Sequence, residues 1–416
     1  MRSSSKTSDK RLKILILGEN YAPEMTGVGR YTGEIGAYLA ECGHDVRVVT
    51  APPHYPGWRV RAPYSAWRYA RERLAGVRIT RCPIVLREEM RGLWRLIAPA
   101  SFAAASLPPA VWAAVAERPD VVLCVEPTLM VAPAGLIARL FGARLLLHVQ
   151  DLEFDAAFAV GHLSGGALKR ALFSFESWLL KRFDGLVTIS GQMSRRLVDK
   201  GVDPARVKIV RNWVDLDKIR PIAGESAFRA ELGLGADDFV ALYAGNIGAK
   251  QALEVALDAA RSLAERKGVH FVIAGDGPEK ARLMRDYGDL ANVRFLPLQP
   301  EERLCELLNL ADLHILPQSR GAADLVLPSK LGGMLASGKP VLVTADEGTE
   351  LYEVLRGVGI LVPAGDGAAM AAEIARLAKE GRHPALGDGR ALAAMFERTT
   401  CLAQFRAFVE GRPAPA

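Results

Sequence analysis

The chain has 416 residues and a mass of 45.0 kDa, room for two large folding units at roughly 100–200 residues per domain. Half of its residues are hydrophobic and 24% are charged, which excludes a disordered or low-complexity scaffold. A formal charge of +6 is too small a surplus to argue for a nucleic-acid binder. The charge is unevenly shared: residues 1–216 carry 30 basic and 20 acidic side chains, and residues 217–416 carry 23 and 27, so the two halves face different partners. The five cysteines lie at least 40 residues apart, which offers no zinc or redox spacing and implies a reducing compartment. Residues 1–12 are polar and basic, without the apolar run or cleavage site of a signal peptide, and a cytoplasmic protein is expected.

In chain order, short β-branched or Leu-rich runs alternate with helical patterns, the signature of an α/β protein built on parallel sheets. The first half reads as strand 13–17, helix 30–42, strand 45–50, a long irregular basic segment, strand 78–81 and a helix within 93–116. Strand 121–125, helix 130–141, strand 144–149, helix 166–182, strand 185–189, helix 192–200 and strand 207–210 follow. Residues 96–116 carry no charge for 21 positions, long enough to cross a bilayer. Pro99, Pro108 and Pro109 would leave carbonyls unpaired in lipid, so a buried or membrane-surface helix is expected there. The pattern breaks over 212–238, around Pro221, and a second series opens with strand 239–244, continuing through helix 251–267 and strands 270–274, 293–296, 313–316, 341–344 and 359–362. A final amphipathic stretch, 390–409, offers Leu392, Met395, Phe396, Leu402, Phe405 and Phe408 to the core. No period of 20–50 residues recurs. The expected domains are 1–212 and 213–388, two facing Rossmann-like doubly wound sheets, with 389–416 as a C-terminal helix and tail packing back. Ligands of open α/β sheets sit beyond the carboxyl ends of the strands, so the loops there, at a cleft between the sheets, should carry the chemistry.

Three glycine-bearing loops follow strands. The first, from Gly18, ends in Gly27, Val28, Gly29 and Arg30 where a helix begins; amides and a helix N-terminus suit a phosphate there. Thr32 breaks the G-x-G-x-x-G fingerprint and weakens a dinucleotide reading, and a plain strand-to-helix turn stays open as the alternative. The second contains Gly245, Asn246, Gly248 and Lys250, a lysine placed to meet a phosphate as a point charge; with the first it suggests one shared diphosphate ligand. The third, Gly275, Asp276 and Gly277, suits a nucleotide base or an ordinary turn. At the end of strand 144–149, His148 or Asp151 would point into the cleft, with Glu153 and Asp155 close behind; a carboxylate there could orient or deprotonate an acceptor hydroxyl, whereas a lone histidine usually rests in a core.

Taken together, GENYAPEMTGVGRYTGE, GHDVRVVTAPPHYPGWRV, HVQDLEFDAAFAVG, VRNWVDLD, YAGNIGAKQALE, AGDGPE and GAADLVLPSKLGGMLASGKPVLVTA make a chain that resembles the retaining GT-B glycosyltransferases of family 4, in particular their WcaI-type group of colanic acid and exopolysaccharide enzymes. The resemblance implies an NDP-sugar donor held by the C-terminal domain, an acceptor held by the N-terminal domain, and retention of configuration with no required metal and no cofactor beyond the donor itself. It implies that Gly27, Val28 and Gly29 approach the donor diphosphate with Arg30 as an added cation. It puts Asn246 and Lys250 where relatives carry Arg and Lys, and makes His148 and Asp151 the acceptor-side polar pair. After Pro328-Ser329-Lys330 the family's ribose-binding Glu is replaced by Gly333, with Asp324 the nearby acid upstream, which leaves Ser329, Lys330 or backbone to hold the ribose. The nucleotide, GDP- or UDP-linked, stays open; fucose is the sugar the nearest group suggests.

Residues 58–95 hold ten Arg and three Glu among Trp58, Trp67, Tyr69 and Trp94. They read either as a solvated basic face or as a surface where Arg59, Arg61, Arg68, Arg71 and Arg73 meet anionic lipid, at about 1 kcal/mol each. A polyprenyl-diphosphate-linked saccharide acceptor would be presented on that surface, so a peripheral enzyme on the inner face of the cytoplasmic membrane is expected. The alternatives are a sugar-nucleotide epimerase on the same fold and a catalytically silent membrane-associated scaffold. A nicotinamide dehydrogenase lacks its fingerprint here.

Overall fold

The computed structural model describes residues 10–24, 27–55, 57–87, 94–152, 166–318, 327–380 and 388–413. The chain forms two compact units, Met1–Val210 with Leu402–Ala416, and Arg211–Cys401.

The first unit is an eight-stranded sheet in the order β3-β4-β2-β1-β5-β6-β7-β8. Its strands are β1 (Lys13–Leu17), β2 (Asp45–Thr50), β3 (Ala70–Leu74), β4 (Val77–Arg81), β5 (Val121–Val125), β6 (Arg144–Val149), β7 (Gly185–Thr188) and β8 (Val207–Ile209). All neighbours are parallel except β3, which pairs antiparallel with β4. The central β5, VVLCV, is buried at every position, as a strand covered on both faces requires. Strand β3 lies inside what the sequence suggests is an irregular segment; its ARERL is largely exposed, a charged edge that carries no alternating apolar signal.

The helix Trp94–Trp112 runs through Pro99, Pro108 and Pro109 and continues as a wider turn over Ala113–Glu117. The prolines remove amide donors, and one side chain takes the place of one of them. The Tyr69 hydroxyl donates to the carbonyl of Ala105 at 2.8 Å, the acceptor that Pro109, four residues on, cannot serve. By length and composition Leu96–Glu117 would suffice to cross a membrane. Ala98, Phe102, Ala110, Ala113 and Ala114 are buried, whereas Ile97, Leu107, Trp112 and Val115 are exposed.

The last helix, Arg398–Glu410, returns to the first unit. It buries Leu402, Phe405 and Val409, sets the Glu410 carboxylate 3.0 Å from His44 Nε2, and accepts a bond from Arg144 at Val409 O. The single stretch expected over 390–409 is interrupted instead: Gly389–Ala393 and Ala394–Phe396 belong to the second unit. There the backbone of Val214 exchanges bonds with Phe396 and Arg398.

The second unit is an all-parallel six-stranded sheet, β11-β10-β9-β12-β13-β14: β9 (Phe239–Ala244), β10 (Val269–Ala274), β11 (Val293–Leu296), β12 (Leu313–Leu316), β13 (Val341–Thr344) and β14 (Ile360–Val362). One apolar cluster, around Leu242, Val272, Leu335 and Phe396, covers one side, and another, around Tyr243, Leu257, Phe271 and Ile374, covers the other.

Candidate active site

Strand order reverses between β1 and β5 in the first sheet and between β9 and β12 in the second. Ligands of open α/β sheets bind beyond the strand ends at such reversals, and the loops leaving β1 and β9 are two of those singled out by their glycines.

In the first unit the segment from Tyr21 to Glu24 lies directly on the helix Gly27–Glu41. A Cβ at Gly29 would come 2.1 Å from Glu24 Oε2, one at Gly33 2.6 Å from Ala22 Cβ, and one at Gly36 2.3 Å from Tyr21 Oη. These three glycines, one helical face, exist to let the loop approach the helix backbone. Gly27 has a different reason: its φ is +64°, and the Tyr55 ring is 3.3 Å from where its Cβ would be.

Beneath the loop is a buried polar cluster that the sequence reading missed. Glu24 accepts hydrogen bonds from the amides of His54 and Tyr55 at 3.1 and 3.0 Å and from Asn20 Nδ2 at 3.1 Å. His54 Nε2 lies 3.3 Å from Glu19 Oε1, and its Nδ1 lies 3.8 Å from Glu24 Oε1 and donates to Pro52 O at 2.9 Å. Glu19 also accepts from the Thr128 hydroxyl beyond β5 at 2.9 Å. Burial pushes the Glu24 carboxyl up, with His54 and the amide donors pulling the other way. Burial alone would lower His54, but Glu19 and Glu24 more than offset it and its pKa is raised. Arg81, also buried, donates to Ala22 O, to Ala51 O at 3.1 Å and to Glu72 at 2.7 Å. One guanidinium thus fastens the loops after β1 and β2 to the edge strand.

The predicted residues of this unit are variously placed. Arg30 pairs with Glu34 along its own helix at 3.0 Å, and Val28 O accepts from Thr32 at 2.8 Å. Asp151 follows β6, half-buried, and accepts from the Leu152 amide at 3.0 Å. Burial first, then Glu24 and Asp151, raise the Tyr55 phenol; Tyr55 therefore brings Gly27, Glu24 and Asp151 into one neighbourhood. His148 is the exception. It is still inside β6, paired with Val125 and Val187, 1% exposed, its ring 5.0 Å from that of Phe405, and burial pulls it down to about 3. A strand covered on both faces turns neither set of side chains outward, so His148 is a neutral core residue here and Asp151, past the strand end, reaches the loop. Glu153 and Asp155 lie outside the described residues.

In the second unit the glycine loops answer each other. A Cβ on Gly275, at φ +147°, would sit 1.9 Å from Gly245 O, and one on Gly277, at φ +155°, 2.3 Å from Ile247 O. Gly245 N donates to Ala274 O at 2.9 Å, Ile247 N to Asp276 O at 2.8 Å, and Gly275 N to Leu296 O at 3.2 Å. Gly248 N donates to Gln251 at 3.1 Å and Gly277 N to the Asp276 carboxylate at 2.8 Å. The glycine amides of these loops are thus engaged within the protein. Asn246, Lys250, Asp276 and Ser329 are exposed. Lys330 is half-buried against Gly245 and Tyr243. Gly333 lies within the helix Leu331–Ala336, where a Cβ would meet Leu308 at 3.3 Å. Asp324 lies outside the described residues.

The family description "Glycosyl transferase 4-like domain" matches residues 26–213, and "Glycosyl transferases group 1" matches 238–380. The chain is 41% identical over 362 residues to WcaI of Escherichia coli (strain K12), named for glycosyl transfer in colanic acid biosynthesis, with 84% of this chain and 88% of that protein covered. The chain belongs to family 4 of the glycosyltransferases. Family 4 enzymes act with retention. The transferase is 33% identical over 180 residues, 41% of its length, to D-inositol 3-phosphate glycosyltransferase of Mycobacterium tuberculosis, of which it covers 36%. Its GT-B fold matches sucrose-phosphate synthase from Thermosynechococcus elongatus with a TM-score of 0.69 at 18% identity, covering 95% and 97% of the two chains. It also matches Anabaena Alr3699/HepE in complex with UDP-glucose, at 0.69 and 17% identity over 96% and 100%.

Proposed function

We propose that the transferase moves a hexose or deoxyhexose from an NDP-sugar to a saccharide carried on a polyprenyl diphosphate, in the assembly of a colanic-acid-like exopolysaccharide, without a metal. The observation that carries this reading is the glycine loop that leaves β9 at the strand reversal of the second sheet, with Lys250 on it and Lys330 against it, in a chain aligned over 84% of its length with a colanic acid transferase. The structural relative that holds UDP-glucose on this fold supports a nucleotide-sugar donor.

Retaining transfer needs a departing diphosphate and a positive anomeric centre to be stabilised together, and preorganised donors typically contribute about 3–4 kcal/mol each. We assign the donor to Gly245, Asn246, Gly248, Lys250, Gly275, Asp276, Gly277, Ser329 and Lys330, and the acceptor side to Asp151. A thermal-shift panel of GDP, UDP, ADP and dTDP tests it: a nucleotide at 100 times its dissociation constant stabilises by about 2.7 kcal/mol, and a flat panel would sink the donor assignment.

The acceptor implies a lipid surface. Trp67 is 74% and Trp112 51% exposed, with Tyr69, Ile97 and Leu107 exposed as well, while Arg61, Arg68, Arg71 and Arg73 stand in solvent. Trp58 packs within 5.9 Å of Tyr55 and 5.8 Å of His54 and is left out of that surface, as are Arg78, paired with Asp45 and Glu117, and Arg81.

A further inference from the structure

With the glycine amides of these loops engaged within the protein, side chains become the natural partners of the anion. Lys280 is committed: its Nζ donates to Gly275 O at 2.7 Å and Leu296 O at 3.1 Å. Lys250 is exposed on the turn Ala249–Gln251. Lys330 is different. Its Nζ lies over the loop leaving β9, so that a Cβ on Gly245 would come 2.9 Å from it, and it sits 3.9 Å above the Tyr243 ring centroid. The Tyr243 hydroxyl donates to Asn246 O at 2.5 Å, so in its hydrogen bond with Lys330 it accepts. That uses one of three ammonium protons.

We propose that Lys330 is the cation of the second unit that receives the diphosphate of a nucleoside diphosphate, and that its amine takes up a proton as the anion binds. This rests on the donor reading above and deepens it. An ammonium partly withdrawn from water without an anion is costly, and among the described residues no carboxylate pairs with Lys330; burial lowers it to about 7. Tyr243 is the titratable group facing it from β9, and burial holds that phenol protonated far above neutrality. A diphosphate would supply the missing counter-charge, return the amine towards an ordinary lysine, and so draw in a proton above pH 7.

Calorimetric titration of the full-length protein with UDP, GDP and inorganic pyrophosphate, near pH 6 and about 8.5, in buffers of differing ionisation enthalpy, tests this. Wild type should take up close to one proton per ligand at the higher pH and almost none at the lower, its affinity falling by up to about tenfold per pH unit above 7. Lys330→Met should bind about tenfold or more weakly near pH 7 without uptake, with an unliganded melting point no lower than wild type; Lys330→Arg, always charged, should bind without uptake at either pH. Wild-type affinity and uptake in Lys330→Met would overturn the inference and leave the donor reading standing. Lys330-dependent uptake with pyrophosphate but no binding of either nucleotide would support the anion site and overturn the donor reading. Binding of none of the three would overturn both.

Discussion

His148 and His314 are held as neutral imidazoles, each pulled down to about 3 by burial. Unfolding returns them to the ordinary value near 6.5. As pH falls from there towards 3 the unfolded chain binds protons the fold refuses, and two such groups give a slope of up to about 2.7 kcal/mol per pH unit. Urea unfolding across that window should show stability falling on acidification, and His148→Leu should remove about half of these two groups' share. His54 has the opposite sign. Its raised pKa contributes stability that is fully present below 6.5 and lost as pH rises through the folded-state value. The difference between wild type and His54→Gln should therefore be largest at acid pH and shrink on alkalinisation; growth with pH would refute the ion cluster. Glycines divide in the same way. Gly275→Ala must place a methyl 1.9 Å from Gly245 O at a φ of +147°, and should destabilise by about 3 kcal/mol or more. Gly43→Ala, at φ +90° with nothing nearby, should cost about 1 kcal/mol; chemical denaturation compares them.

Tyr69 couples two elements, and Tyr69→Phe should cost about 1 kcal/mol in equilibrium unfolding while loosening the β3 edge against the helix Trp94–Trp112. Replacing Trp67 and Trp112 together with Ser should weaken sedimentation with anionic vesicles, and raised salt should weaken the wild type likewise; equal binding to neutral and anionic vesicles would contradict the membrane proposal. The strands β1, β2, β5, β6, β9, β11, β12 and β13 were legible residue for residue because mostly apolar runs flanked by turns are what a doubly covered sheet demands. Strand β3 was not, because an exposed edge is written in charges. The loops of the site were legible from glycine, but the reason for glycine was not: Gly29 answers to Glu24 and Gly275 to Gly245 O, contacts that no local spacing encodes. The Glu19, His54 and Thr128 cluster was illegible for a related reason, since its members come from three strand ends up to 109 residues apart.

Across the whole molecule, the excess of positive charge in residues 1–216 and of negative charge in 217–416 fits the proposal that one half meets a lipid-borne acceptor. The path of the chain adds a constraint on its birth. The first unit is interrupted at Val210 and resumed at Leu402, and what resumes it carries Phe405, Val409 and the Glu410 partner of buried His44. Deleting residues 402–416 should lower the melting transition of the first unit while leaving that of the second in place, as calorimetry would resolve. On the ribosome, the half begun first is therefore the half finished last: the middle of the message yields a complete body while the amino-terminal sheet still waits, its apolar flank uncovered, for the final helix to clear the exit tunnel.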